Sequence, residues 1–209
     1  MMLYDYKGAP SPRRVRMFLA EKGIEVPTTQ VDLRSREQLG EEFRRLNPQW
    51  MVPFLVLDDG TGISESMAIC RYFESLQPHP SLFGSTPRAQ ALVEMWSRRA
   101  ELDGILAVME AFRNSTPGFK GRAVGGPHDY EQIPELAERG RRRIGHFFDA
   151  LEERAAESTW MAGEAFSVAD ITALVAVDFA GWVKLRIPDA HVNARRWYEA
   201  ATARPSARA

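Results

Sequence analysis

Cysteine is almost absent from this sequence, and its scarcity excludes several kinds of chemistry. Cys70 is the only cysteine among 209 residues. A single thiol cannot form an internal disulfide, a multi-cysteine zinc site or a Cys-x-x-Cys redox pair. The four histidines are scattered along the chain: His79, His128, His146 and His191. None has the spacing of a metal-binding motif, so we expect no metal, and a reducing compartment suits the sequence best.

The sequence also lacks an excess of charge and a long hydrophobic run. It has 27 Lys and Arg residues against 28 Asp and Glu residues, which gives a formal net charge of -1. This balance provides no electrostatic reason to expect a nucleic acid or an anionic membrane as a partner. No apolar run approaches the roughly 20 residues that span a bilayer, and the N-terminus has no secretion-signal pattern. These features predict a soluble, cytoplasmic protein.

The first 77 residues alternate between short apolar runs and helical patterns. Strand patterns occur at residues 2–6, at 28–33 and on both sides of the DG turn in PFLVLDDGTGISES. Helical patterns occur at residues 12–22, where Gly23 ends the helix, at 35–45 and at 66–76. The resulting order, βαβαββα, predicts a small α/β domain with a mixed sheet over residues 1–77.

The composition changes after residue 77. Residues 78–87 are rich in proline and end in a Thr-Pro helix start, which is typical of a linker. Apolar residues then recur at helical spacing over 87–112 and 130–155, which predicts an all-helical second domain over 88–209. The segment NSTPGFKGRAVGGPHD between these helices predicts a long loop, either a mobile edge of a binding site or a solvated connection. The final RPSARA is expected to be disordered or cut short.

The stretch GAPSPRRVR, residues 8–16, joins the first strand to the first helix. Ser11 is a good N-cap residue, and Pro12 suits the first helical position, so capping alone explains the pattern. A hydroxyl and free backbone N–H groups at a helix N-terminus also form a site for an anion. Both interpretations are open from these residues alone.

Two further motifs lie between residues 52 and 66. Val52-Pro53 begins an apolar strand; most X-Pro bonds in folded proteins are trans, but a cis bond would turn the backbone of Val52 toward a ligand. The sequence SES then leads into a helix, where Glu65 can pair with an ammonium group and the N–H groups near Ser66 can bind a carboxylate. This pair suits the zwitterionic end of an amino acid, and simple capping by Ser64 or Ser66 is the alternative.

A strand that runs into a serine-capped helix is followed by NPQWMVPFL, SESMAI and, in the helical second domain, WMAGEAFSVADITA. Taken together, these patterns resemble a bacterial-like member of the soluble, cytosolic-type glutathione S-transferase family over nearly the whole chain. The resemblance implies a thioredoxin-like first domain, a helical second domain, glutathione as co-substrate and a homodimer. It also implies that Val52, before a cis Pro53, contacts the cysteinyl unit, and that Glu65 and Ser66 hold the γ-glutamyl end.

Glutathione transfer requires the thiol as a thiolate, and a free thiol with a pKa of about 8.5 is mostly protonated at neutral pH. Ser11 is our candidate for the hydrogen-bond donor to sulfur, with a screened positive field from Arg13 or Arg14. With RRVR as the anchor, however, the serine of the family's serine-type members falls on Ala9, and Ser11 falls where other members carry a cysteine. Tyr6 and backbone N–H groups are the alternatives.

The resemblance suggests further contacts in both domains. Trp50, Met51 and Gln38 lie where the family contacts glutathione. A second substrate is expected between the domains, where Arg99, Met109 and Phe112 are candidate lining residues; residues of this kind at helical spacing also suit a core.

The second domain carries one motif that we assign to folding. Ser167 and Asp170 in WMAGEAFSVADITA have the spacing of a capping box at a helix start. Neither residue is expected to take part in the chemistry.

The resemblance therefore implies a detoxification enzyme, a glutathione S-transferase that conjugates the glutathione thiolate to small electrophiles by addition or displacement. One alternative is a glutathione-dependent disulfide reductase or isomerase on the same fold. A second alternative is a non-catalytic binding or regulatory protein that keeps the glutathione fold.

Overall fold

A four-stranded mixed sheet with three helices forms the first part of the chain. The computed structural model describes residues 1–209. The strands are β1 (Met2–Asp5), β2 (Thr28–Gln30), β3 (Phe54–Val56) and β4 (Gly62–Ser64). The helices are α1 (Pro10–Lys22), α2 (Glu41–Leu46) and α3 (Ser66–Leu76), with a 3-10 turn at Glu37–Leu39. The predicted order βαβαββα is confirmed, although β2 and α2 are shorter than their sequence patterns indicated.

The sheet has the strand order β2-β1-β3-β4. β1 pairs in parallel with β2, and the pairs β1–β3 and β3–β4 are antiparallel. Leu3 and Leu55 lie opposite each other and are fully buried, and they belong to the same core as Phe18 of α1 and Ile69 of α3. The small sheet therefore presents an apolar face to α1 and α3.

The start of α1 differs from the prediction. The N-cap residue is Ala9, with extended backbone, and Pro10 occupies the first helical position, so Ser11 is the second residue of the helix. The expectation that Ser11 caps the helix is wrong, because Pro10 suits the first helical position as well as Pro12 does. The end of the helix is as predicted, at Gly23 with φ of 63°.

The rest of the chain is helical, as predicted. It contains α4 (Pro87–Arg99), a π-helical segment at Ala100–Ile105, α5 (Leu106–Ser115), α6 (Pro134–Glu157), α7 (Val168–Ala180) and α8 (Val192–Thr202). Shorter 3-10 turns lie at Pro117–Phe119, Gly181–Val183 and Pro205–Arg208. Thr86 caps α4 by accepting a hydrogen bond from the Ala89 N–H. No helix is both long enough and apolar enough to cross a membrane.

The predicted capping box begins α7, the most buried helix of the chain. Ser167 Oγ accepts from the Ala169 N–H at 3.3 Å, and Asp170 Oδ2 accepts from the Ser167 N–H at 3.0 Å. The buried Asp170 also accepts from the indole N–H of Trp197 at 3.0 Å. The pair therefore ties the start of α7 to α8, which is a folding role.

The C-terminal segment is ordered against α1, so the expectation of disorder in RPSARA is wrong. Pro205–Arg208 forms a 3-10 turn. Glu21 of α1 accepts hydrogen bonds from Arg204 Nε at 2.7 Å and Arg204 Nη2 at 2.6 Å, and from the hydroxyl of Ser206. The bidentate ion pair between Arg204 and Glu21 anchors the C-terminal segment to α1, a contact between distant residues that composition alone does not reveal.

Candidate functional site

The register of the sheet brings three separate segments together at one edge. Tyr4 near the end of β1 lies opposite Phe54 at the start of β3, and Phe54 lies opposite Ser64 at the end of β4. Three segments therefore lie side by side at this end of the sheet: the junction before α1, the Val52-Pro53 pair and the turn before α3. They line one wall of a cleft of about 530 Å³ between the two domains. The predicted catalytic residue and five of the predicted glutathione contacts lie on this wall: Ser11, Met51, Val52, Pro53, Glu65 and Ser66.

Ser11 supplies the hydrogen-bond donors at the first turn of α1. Pro10 and Pro12 have no N–H, and the N–H of Ala9 donates to the Tyr6 carbonyl at 3.0 Å. Neither the N–H nor the hydroxyl of the half-buried Ser11 has a partner within the protein. Both Ser11 groups are therefore available to an anion in the cleft, and the turn offers only this one backbone N–H.

The position aligned with the family's serine, Ala9, and the alternative hydroxyl, that of Tyr6, both lie outside the cleft lining. Ala9 lines a smaller cavity of about 210 Å³ on the other side of the first turn, together with Asp178 and Trp182. The ring of Tyr6 lies against Gly8, where an added Cβ would be 2.8 Å from Tyr6 Cε1, and Tyr6 does not line the cleft.

The Val52-Pro53 peptide bond is cis. The backbone N–H and carbonyl of Val52 make no hydrogen bond within the protein. Both groups can therefore pair with the backbone of a peptide ligand, in the way that one strand pairs with another.

Asn47 holds this segment in place, and sequence reasoning did not single it out. The buried Asn47 side chain donates to the Met51 carbonyl at 2.7 Å and accepts from the Gln49 N–H at 3.0 Å. Between them Trp50 has a φ of 55°, a left-handed conformation that is uncommon for an aromatic residue. The Asn-Pro dipeptide at 47–48, which favours turns, was the available signal.

Glu65 and Ser66 form the other polar part of the wall. Glu65 precedes α3 with a φ of 70°, and neither Ser64 nor Ser66 caps the helix. The side chain of Ser66 is buried, 2% exposed, and its hydroxyl has no partner in the protein. A buried hydroxyl without a partner is unfavourable, so the site fits a ligand group that would bond to it.

The two arginines of the first turn point in different directions. Arg14 is buried in the cleft wall, where its Nη1 donates to Glu101 Oε1 at 3.0 Å. Arg13 turns away and donates to Asp178 Oδ2 at 2.5 Å. Of these two arginines, only Arg14 can add a positive field inside the cleft, and the carboxylate of Glu101 offsets much of that field.

The opposite wall of the cleft follows the end of α4 and the π-helical segment into α5. Arg98 and Glu101 line its first part, and the rest is apolar, with Leu102, Ile105, Leu106 and Met109. Gly104 lies on the inner side of this segment, where an added Cβ would be 2.8 Å from Ala176 Cβ. The glycine thus permits close packing on α7, and π-helical turns often occur at functional sites. Of the candidates for the second substrate, Met109 lies on this wall.

The structure places the other two candidates elsewhere. Arg99 lines a separate cavity of about 670 Å³ between α4 and α6, where its guanidinium lies 4.8 Å from the ring centroid of Trp96. Phe112 packs edge-on against Phe119, with ring centroids 5.2 Å apart, and equally against Trp182.

Two of the candidate glutathione contacts also lie off the cleft wall. Trp50 stacks beneath the guanidinium of Arg44, 3.9 Å from the ring centroid. Gln38 lies in the 3-10 turn between β2 and α2, and its buried amide oxygen has no partner. No group of three or more metal-ligating side chains is present.

The sequence matches the family model described as Glutathione S-transferase, N-terminal domain, over residues 9–76, and the model for the C-terminal domain of the same family over 105–205. It is 36% identical over 208 residues to Glutathione S-transferase 2 of Saccharomyces cerevisiae, covering 99% of this chain and 87% of that protein. The chain belongs to the glutathione S-transferase family.

Members of this family bind glutathione as a substrate. The crystal structure of Gtt2 from Saccharomyces cerevisiae superposes with a TM-score of 0.90 at 35% identity, covering 100% of this chain and 99% of that one. A maleylacetoacetate isomerase of Pseudomonas aeruginosa is 31% identical over 181 residues, covering 82% of this chain and 77% of the isomerase. The family thus includes relatives named for transfer and for isomerisation.

Proposed function

We propose that this protein is a glutathione S-transferase that ionises the thiol of bound glutathione with Ser11 and transfers the thiolate to a small electrophile. One observation carries the proposal: Ser11, Val52-Pro53 and Glu65-Ser66 come from distant parts of the chain and line the same cleft. Each offers unpaired groups of the type that one part of glutathione requires.

The binding scheme follows from those groups. The carboxylate of Glu65 pairs with the ammonium of the γ-glutamyl end, and the hydroxyl and N–H of Ser66, at the start of α3, donate hydrogen bonds to its carboxylate. The free N–H and carbonyl of Val52 pair with the cysteinyl backbone. This arrangement directs the cysteinyl side chain toward the first turn of α1 and Ser11.

The chemistry then requires the anion at sulfur. Ser11 donates its hydroxyl proton in a hydrogen bond to the thiolate, and the Ser11 N–H adds a second donor. The thiol proton leaves to solvent, and the thiolate attacks the electrophilic carbon to form the C–S bond. In displacement a leaving group departs with its electron pair; in addition the electrons of the double bond move to its far atom, which takes a proton from solvent. The apolar wall of Leu102, Leu106 and Met109 suits the nonpolar part of such an electrophile.

A cytoplasmic homodimer is part of the proposal. The balanced charge of the sequence is compatible with both features, and the dimer rests on the resemblance to the family. Size-exclusion chromatography with light scattering measures the assembly directly, and a monomer at micromolar concentration would exclude the dimer.

Isomerisation is the second candidate, because an isomerase relative covers most of this chain. A thiolate that adds reversibly to a conjugated double bond permits rotation before it leaves, so the same activated sulfur serves both reactions. Disulfide reduction has less support: Cys70 is fully buried and burial raises its pKa to about 12, so only glutathione itself would act as the reductant.

Isothermal calorimetry with glutathione and turnover of a chloronitroaromatic together test the proposal. Glu65→Ala should weaken glutathione binding, whereas Glu25→Ala, a change at an exposed carboxylate outside the cleft, should not. Wild-type protein that shows no heat of association at millimolar glutathione would refute the binding scheme. Binding with isomerisation of a cis-configured conjugated ketone, and no aromatic substitution, would support the second candidate.

A further inference from the structure

Side-chain hydrogen bonds from Arg113 and Gln132 hold the long loop between α5 and α6 in place. Arg113, near the end of α5, donates from Nε to the Ala123 carbonyl at 2.9 Å and from Nη2 to the Arg122 carbonyl at 2.6 Å. Its guanidinium also stacks on Phe119 at 4.3 Å. Gln132 closes the base of the loop by donating to the carbonyl of Arg113 at 2.7 Å. Arg113 therefore fixes the backbone that leads directly to residues 124–126.

The tip of this loop lies against the first domain. A Cβ added to Gly125 would be 3.2 Å from Met51 Sδ, and one added to the buried Gly126 would be 3.7 Å from the Gln49 carbonyl. Gly126 has a φ of 112°, a conformation open to glycine and rarely to other residues. Gly125 thus allows the loop of the helical domain to approach Met51 closely, and Gly126 provides the backbone conformation of the tip.

Residues 49–52 are thus supported from two sides. Asn47 braces them from within the first domain, and the Gly125-Gly126 tip contacts them from the second. The left-handed Trp50 lies inside this segment, and such a conformation persists only where its surroundings hold it. The position of the free Val52 backbone therefore depends on both supports.

We propose that the Gly125-Gly126 tip, anchored by Arg113, is a positioning element that sets the affinity for the peptide backbone of glutathione. The inference rests on the proposed function, because it assigns Val52 to that backbone. The tip does not touch Ser11, so it acts on binding and leaves ionisation of the thiol unchanged. The long loop is then a fixed edge of the binding site.

The test compares two glycines of the same loop. Gly125→Val forces Met51 to move, whereas Gly118→Val is the matched control, since a Cβ at Gly118 would meet no atom within 4 Å. Calorimetry with S-methylglutathione, which has no free thiol, measures binding alone. We expect the Kd of Gly125→Val to rise about two- to tenfold, the cost of moving the Met51 side chain off its rotamer, and the Kd of Gly118→Val to stay at the wild-type value.

Kinetics separate positioning from general damage. Gly125→Val should raise the KM for glutathione and leave kcat and the thiol pKa unchanged. Arg113→Lys should have the same effect, because lysine cannot donate to the carbonyls of Arg122 and Ala123 with the planar geometry of a guanidinium. Equal Kd values for the two valine variants, with wild-type binding intact, would overturn this inference and leave the proposed function standing. Absence of glutathione binding by the wild type would overturn both.

Discussion

Replacing Ser11 with alanine tests the central step of the proposed mechanism. The change removes the hydroxyl but leaves the Ser11 N–H, the only free backbone donor of the first turn because Pro10 and Pro12 have none. Alanine is also a good helix former, so α1 should keep its structure. The variant therefore isolates one hydrogen bond to sulfur.

The size of the effect follows from the strength of that bond. Lowering a thiol pKa from about 8.5 to about 6.5 requires roughly 2.7 kcal/mol of preference for the anion. A hydrogen bond to a charged group contributes about 1.5–3 kcal/mol, and a helix terminus about 0.3–1 kcal/mol. Glu101 offsets the charge of Arg14, so we assign most of the required preference to the hydroxyl. Ser11→Ala should raise the pKa of bound glutathione by about one to two units.

Titration of the ultraviolet absorbance of the thiolate in the protein–glutathione complex measures this pKa. The rate of aromatic substitution at pH 7 should fall about 3- to 25-fold with the thiolate fraction, and should approach the wild-type rate once the pH exceeds the raised pKa. Ser11→Thr keeps a hydroxyl and should retain a low pKa, and Tyr6→Phe should have no effect. An unchanged titration midpoint in Ser11→Ala would refute the assignment, and a raised midpoint in Tyr6→Phe would transfer the role to that tyrosine.

Two further predictions concern the framework around the site. Gly104→Ala should lower the free energy of unfolding by about 1–3 kcal/mol in chemical denaturation, because the new methyl would lie 2.8 Å from Ala176 Cβ; unchanged stability would show that the π-helical segment does not need the glycine. Burial alone would raise the pKa of Glu21, but hydrogen bonds from Arg204 and Ser206 outweigh it and hold the pKa below its ordinary value of 4.5. This contribution is complete above the unfolded pKa and is lost as the pH falls through the folded pKa. Glu21→Gln should therefore cost about 1–2 kcal/mol at pH 7 and progressively less below about pH 4; a cost that persists at low pH would contradict the ionic origin.

Local signals in the sequence predicted most of the secondary structure. Alternating apolar residues, the DG turn and Gly23 fixed the βαβαββα order, and the capping box at Ser167 and Asp170 was found where its spacing placed it. These features depend on neighbouring residues, so a linear sequence contains them. Each segment that lines the first wall of the cleft has its own local motif, and the resemblance to the family joined these motifs into one predicted site.

The opposite wall of the cleft was predicted less well, for a physical reason. Arg98 lines the cleft and Arg99 does not, since one residue along an α-helix rotates the side chain by about 100°. The π-helical segment at Ala100–Ile105 then adds a further rotation that a uniform helical period does not anticipate. Phe112 lies beyond this segment and packs with Phe119 and Trp182 away from the cleft wall.

Contacts between distant residues account for the remaining differences. Asn47 braces its own loop and was missed because buried asparagines have no periodic signature, and the support of Met51 by Gly125 joins residues from different domains. Proximity of this kind arises only when the domains pack together.

The geometry separates two properties of the proposed enzyme. In the proposed mechanism, ionisation of sulfur depends on one side chain, that of Ser11, because Pro10 and Pro12 have no N–H to donate at this helix start. In the same proposal, binding of the peptide depends on Val52, whose segment is held by Asn47 in one domain and by Gly125 in the other. Changes at Ser11 should therefore alter the pH profile and leave the affinity for S-methylglutathione unchanged, whereas changes at Gly125 should do the reverse. A Ser11→Ala/Gly125→Val double variant should show both effects at their full separate sizes, because independent sites contribute additively.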